Sequence, residues 1–225
     1  MKLKIVPYKM TSESAKLLQK ALSEKLGYYV YRGKEVADHV LIKWGHKPDK
    51  VKNFELMKQA GVSHVPYTTS KEVAKKWQEA GHIVYARTPT GQKGVNIQIV
   101  RPREELPDMP LYTQFVRNFT EFRVNVAYGK AIHVSQKRRD REDADPFVRS
   151  QKGGWGFRKP LFVPKGLDKV AEAAAVAVGE NLCGVDVLFN KYYNTFYVLE
   201  INSAPWLNEN IANKYAEEIV NYVGH

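Results

Sequence analysis

The sequence predicts an α+β protein built as a short N-terminal lobe packed on a larger body. Helical stretches with Thr or Ser ahead of them and Gly behind alternate with short runs rich in β-branched and aromatic residues. Residues 184–206, GVDVLFNKYYNTFYVLEINSAPW, read as a hairpin of two such runs, 185–189 and 196–201, around a polar loop. The composition is globular, with 44% hydrophobic and 12% aromatic residues in a chain of 225.

That length accommodates one large domain or two lobes with ample core. The sequence contains no apolar run of about 18 residues of the kind a membrane helix needs, and the opening MKLKIVPYKM turns polar too early for a signal peptide. Cys183 is the single cysteine, which excludes an internal disulfide framework and fits a reducing cytoplasm. Beside Gly184 and ahead of VDVLF it is expected to be a buried small hydrophobe. The net charge of +11 admits nucleic acid, an anionic substrate or nucleotide phosphates as partners without choosing between them. Residues 135–160 concentrate eight Lys and Arg against four acids.

In chain order, residues 2–7 form a strand, and Thr11 or Ser12 caps a helix to about Lys25 that ends at Gly27. A second strand, 40–44, completes a βαβ-like lobe over 1–48. A helix at 51–60 stops at Gly61, residues 62–68 are extended, and Ser70 caps a helix over 71–80 that ends at Gly81. Strands at 83–86 and 95–100 flank a turn from Arg87 to Gly94. Its glycines and the cations Arg87 and Lys93 offer N–H groups and charge to phosphate, although no Walker spacing is present. After a proline-broken connection come a strand at 111–116 and a hairpin of 121–127 and 131–135 turning at Tyr128-Gly129-Lys130. Residues 135–159 are charged and long for a loop, which suits a lid, a binding segment or a disordered stretch. A helix over 167–179, the acidic hairpin and a final amphipathic helix at 208–223 close the chain.

The acids of that hairpin carry the chemistry. Asp186 interrupts VDVLF and Glu200 interrupts VLEIN, and the two-residue period points Glu200 and Asn202 the same way. Antiparallel pairing brings Asp186 across to them. Exposed acids on a half-wet hairpin would show the same residues. A carboxylate inside an apolar run, however, costs several kcal/mol unless a cation compensates it, and oxygen donors of this kind suit Mg²⁺ held together with substrate phosphates.

With these motifs in order, the chain resembles the ATP-grasp superfamily over roughly residues 40–210. It is most similar to the compact bacteriophage-encoded members related to RimK-like carboxylate–amine ligases. The resemblance rests on Val185-Asp186-Val187 and Leu199-Glu200-Ile201-Asn202 followed by Ser203-Ala204-Pro205, with Trp206 where the family usually has Gly. It implies an ATP-grasp fold: a pre-ATP-grasp-like lobe over 1–48, a small lobe over 49–113 and a large lobe over 114–225 with a lid at 135–160.

The resemblance also implies roles. Asp186, Glu200 and Asn202 hold Mg²⁺, two ions in the family pattern. Lys50, Arg87 and Lys137 bind ATP phosphates, and the glycine loop Gly91–Gly94 covers them. Gln114 and Val116 hold adenine at the interlobe hinge, and Glu121 takes the ribose. Arg123, with Lys137 or Arg138, acts at the reacting groups. Arg123, Arg149, Ser150, Asn202 and Ser203 meet the second substrate.

The expected activity is ATP-dependent ligation of a small-molecule or peptide carboxylate to an amine through an acyl phosphate, in the cytoplasm and away from membranes. Such chemistry needs Mg²⁺ and cations around the transferring phosphoryl, and no Ser-His-Asp or Cys-His nucleophile. A basic nucleic-acid-binding protein, with residues 135–159 as its footprint, is the alternative from a different class. A relative that binds nucleotide without ligating is another. Surface ion pairing is the competing account of each arginine. The sequence names neither the acid nor the amine, nor the oligomeric state.

Overall fold

A computed structural model describes residues 2–90, 97–117 and 119–224. The N-terminal part holds β1 (Leu3–Pro7), α1 (Glu13–Leu26), β2 (Tyr31–Arg32) and β3 (Val40–Trp44), with the strands in a parallel sheet ordered β2-β1-β3. Ser12 caps α1 by accepting the Ala15 N–H, and Gly27 ends it in the left-handed region that a Cβ disfavours. The period-2 burial of β1 turns Leu3 and Ile5 onto α1, where they meet Leu18 and Leu22. The two-residue strand β2 is an addition to the sequence expectation; YVYR is too short to show a period.

Next come α2 (Lys50–Gln59), β4 (Tyr67–Thr68), α3 (Lys71–Glu79), β5 (Val84–Arg87), β6 (Ile97–Val100) and β7 (Leu111–Gln114). The four strands make an antiparallel sheet ordered β4-β7-β5-β6. Asp49 caps α2 through the Lys52 N–H, which places Lys50 at the first helical position. The glycine loop 91–94 lies outside the described residues.

The third sheet, β10-β9-β8-β11-β12, is antiparallel throughout. It comprises β8 (Phe119–Ala127), β9 (Lys130–Arg139), β10 (Trp155–Arg158), β11 (Leu182–Asn190) and β12 (Thr195–Asn202). Residues 135–159 are therefore not one loop: β9 runs on to Arg139 and β10 folds back on it, leaving 140–154 as the connection. Charge hid these strands, because Gln136 to Arg139 grade from buried to exposed and carry no apolar alternation.

Helices α4 (Leu167–Val178) and α2 cover one face of this sheet, burying Phe122, Val124, Val185 and Val187 against Phe54, Leu167, Ala171 and Ala174. The last helix, α5 (Glu209–Val223), packs Ile211, Tyr215 and Ile219 onto α1 and the N-terminal sheet, so the first lobe shares its core with the end of the chain. The opposite face of the large sheet carries the predicted site.

Candidate active site

Strand register assembles this face. In β8 and β11, Arg123 stands directly opposite Asp186, and in β11 and β12, Asp186 stands opposite Glu200. A β-bulge makes the second pairing. Val187 pairs Val198 and Asp186 pairs Glu200, so Leu199 is an extra residue that shifts the side-chain phase of β12. Val198 is thereby buried in the core while Glu200 and Asn202 take the face that carries Asp186.

Asp186, only 2% exposed, accepts a bidentate pair of hydrogen bonds from Arg123, Nε to Oδ1 and Nη2 to Oδ2, each 2.7 Å. Asn202 Nδ2 donates to Asp186 Oδ2 and to Glu200 Oε1, each at 3.3 Å. Lys50 Nζ, from the first turn of α2, lies 3.5 Å from Glu200 Oε2. Two residues before Arg123, the buried carboxylate of Glu121 accepts from Lys137 Nζ at 2.9 Å.

The charges shape one another. Burial pushes the Glu200 carboxyl up, but Lys50, Arg87, Arg123 and Lys137 outweigh it and hold the group at about 2. Burial raises Glu121, opposed by Lys137. Burial also lowers Arg87, opposed by Glu200. Arg123 is raised, because its bidentate attachment to Asp186 exceeds the cost of burying it.

Arg87 is the anomaly. It ends β5 with 7% of its surface exposed, and its Nε and Nη2 are buried with no hydrogen-bond partner among the described residues. Orphaned buried donors are rare in folded proteins, and costlier still when charged. Phosphate oxygens are acceptors of the kind these donors would take. Asp186 and Glu200 are carboxylates of the kind that would hold Mg²⁺ beside substrate phosphates, and a half-turn of the Asn202 amide would present Oδ1 as a third oxygen. The residues present therefore fit both a nucleotide and its metal.

The other predicted residues fall as follows. Gln114 ends β7 and donates its N–H to Pro66 O, and Val116 lies in the short crossing from the small sheet to β8. Arg138 is one residue from Lys137 on β9, so alternation turns it to the opposite face, and it does not join the cluster. The Arg149 guanidinium sits between two rings, 4.0 Å from the Phe119 centroid and 4.5 Å from that of Trp155. Ser150 Oγ accepts the Gly153 N–H within the 140–154 connection. Ser203 Oγ accepts the His46 N–H, and His46 Nε2 is paired with Glu180, which ties the N-terminal lobe to the turn after Asn202. Gly91 and Gly94 lie outside the described residues.

Sequence reasoning missed Phe157, whose ring lies under both Arg123 and Lys137 at 4.2 and 4.6 Å. The only trace of it was the alternation in Trp155-Gly156-Phe157, masked by its place in a charged segment.

No protein-family model matches the chain. No curated protein matches it either. Solved structures do, at low identity and nearly full length. The ATP-grasp ligase PsnB complexed with minimal precursor, Mg and ADP aligns with a TM-score of 0.71 at 10% identity, over 99% of this chain and 98% of that one. D-alanine–D-alanine ligase from Bacillus anthracis gives 0.66 at 12%, over 98% and 97%. D-cycloserine synthetase DcsG gives 0.70 at 15%, over 98% and 99%. With three sheets in this order and a charged face between two of them, matched from end to end by such enzymes, the chain has the ATP-grasp fold.

Proposed function

We propose that this protein is an ATP- and Mg²⁺-dependent ligase that joins a carboxylate to an amine through an acyl phosphate. The observation that carries the proposal is Arg87: a buried guanidinium with unanswered donors, within the field of Glu200, which pairs across the hairpin with Asp186. The solved structures of similar fold support it, since they include a D-alanine–D-alanine ligase and a ligase complexed with minimal precursor, Mg and ADP.

In this scheme an oxygen of the substrate carboxylate attacks the γ-phosphorus of ATP, the bond to the bridging β–γ oxygen breaks, and ADP departs with the electron pair. The amine lone pair then attacks the acyl carbon, the tetrahedral adduct expels inorganic phosphate, and the nitrogen loses a proton to solvent. Bound at Asp186, Glu200 and Asn202, Mg²⁺ supplies charge neutralisation of the phosphates.

Arg87, Lys50 and Lys137 hold phosphate oxygens, and their charge meets the negative charge spread over the transferring group. Arg123 and Arg149 orient the carboxylate and face the tetrahedral oxyanion. The Gln114–Val116 crossing receives adenine and Glu121 the ribose. Ser150 and Ser203 border the second substrate, a small molecule or a peptide. The buried thiol of Cys183 and the absence, among the described residues, of any helix able to cross a membrane suit work in a cytoplasm.

The test is thermal unfolding with and without Mg²⁺–ADP on wild type and Asp186→Asn. Ligand at 100 times its dissociation constant adds about 2.7 kcal/mol to wild type. A Mg²⁺-dependent shift absent from the variant supports the site and licenses a screen of acids and amines for ADP release. No shift in wild type at millimolar nucleotide overturns the proposal.

A further inference from the structure

Arg123 and Lys137 are each committed to a carboxylate in the resting protein, yet the proposed chemistry needs them on phosphate and acyl oxygens once metal takes Asp186. Something must hold them on the cleft face through that exchange.

Phe157 is placed for this. It lies in the edge strand β10, paired in register with Lys137 of β9. Its ring is half-buried, with its centroid 4.2 Å from Arg123 Cζ and 4.6 Å from Lys137 Nζ, so one ring contacts two site cations that come from different strands. The ring quadrupole attracts both charges without accepting a conventional hydrogen bond from either. A carboxylate in the same place would use up N–H donors and cancel charge. An aliphatic side chain would give no attraction.

Packing fixes Arg123 from another side too. A Cβ at Gly184 would stand 3.3 Å from Arg123 Cδ, so the side chain runs closely across β11.

We propose that Phe157 is a positioning residue of the nucleotide site, an aromatic plate that keeps the Arg123 and Lys137 cations aimed into the cleft while their partners change from carboxylate to phosphate. This rests on the nucleotide-binding reading of that site.

The test compares Mg²⁺–ADP affinity, by calorimetry, in wild type, Phe157→Met, Phe157→Leu and Phe157→Tyr, each with an unchanged ligand-free melting temperature. Losing a desolvated cation–π contact to two cations is expected to weaken ADP about tenfold in the Met and Leu variants. Tyrosine keeps the ring face and is expected to stay within about threefold of wild type. A structural role alone would not divide the variants by aromaticity. In parallel, the Arg123 Nε–H proton resonance should carry an upfield ring-current shift in wild type and Phe157→Tyr and lose it in the aliphatic variants.

Equal affinity in all four proteins, or a Tyr variant as weak as Met, overturns the positioning role while leaving the nucleotide site intact. Absence of Mg²⁺–ADP binding in wild type overturns the site and the role together.

Discussion

Replacing Arg87 by methionine should make the protein more stable and unable to hold nucleotide. The guanidinium is nearly enclosed, and two of its nitrogens have no acceptor among the described residues. Each unsatisfied buried donor costs about 1–3 kcal/mol, more when charged. Methionine fills a comparable volume with a flexible apolar chain, so the cavity cost stays small. Against this gain stands the attraction of Arg87 for Glu200, which keeps Lys50, Arg123 and Lys137 as neighbouring cations after the substitution.

The net expectation is about 2 kcal/mol of stabilisation, a rise of roughly 4–8 °C in melting temperature for a chain of this size. Nucleotide binding moves the other way. Two charge-assisted bonds to phosphate at about 1.5–3 kcal/mol each predict more than a 100-fold loss of Mg²⁺–ADP affinity. Scanning fluorimetry without ligand and calorimetry with it measure both quantities on one preparation. A variant that melts lower than wild type would refute the claim that Arg87 is held at a cost, and undiminished ADP affinity would remove it from the phosphate site. Opposite signs are what a group kept for function rather than stability produces.

Glu200 carries a pH signature. Its carboxyl sits at about 2 against an ordinary 4.5, so its contribution is full above about pH 4.5 and disappears as the pH falls towards 2. The size is roughly 3 kcal/mol. Urea midpoints across that window should fall steeply in wild type and more gently in Glu200→Gln, which should also lose ATP turnover while remaining folded; parallel curves would contradict the ion cluster. Gly184→Ala places a Cβ 2.9 Å from Pro205 Cβ and 3.3 Å from Arg123 Cδ, beneath the turn that follows Asn202. Overpacking there should cost about 1–3 kcal/mol in thermal melts and weaken Mg²⁺–ADP binding. An alanine variant indistinguishable from wild type would mean that the Pro205 turn yields freely.

The helix signals legible in the chain are local: Ser12 and Ser70 cap through their own side chains, and Gly27 closes α1 in left-handed geometry, whereas the Asp49 cap of α2 showed only in the structure. The sequence by itself also determined the acidic hairpin. Apolar runs interrupted by Asp186 and Glu200 stand out because burying a carboxylate is expensive enough to mark its position.

Tertiary structure alone decided what those acids meet. Lys50 reaches Glu200 from a helix 150 residues earlier in the chain, and Arg123 reaches Asp186 from a strand 63 residues away, through strand register rather than sequence spacing. That Lys137 pairs with Glu121 was likewise set by which face of β9 turns to the cleft. The bulge at Leu199 is the clearest case. A strict two-residue period puts Val198 and Glu200 on one face, and only pairing with β11 shows the extra residue that sends the valine to the core and the carboxylate to the site. A single-residue shift in pairing leaves no mark in composition or periodicity, yet it determines which side of the sheet is charged.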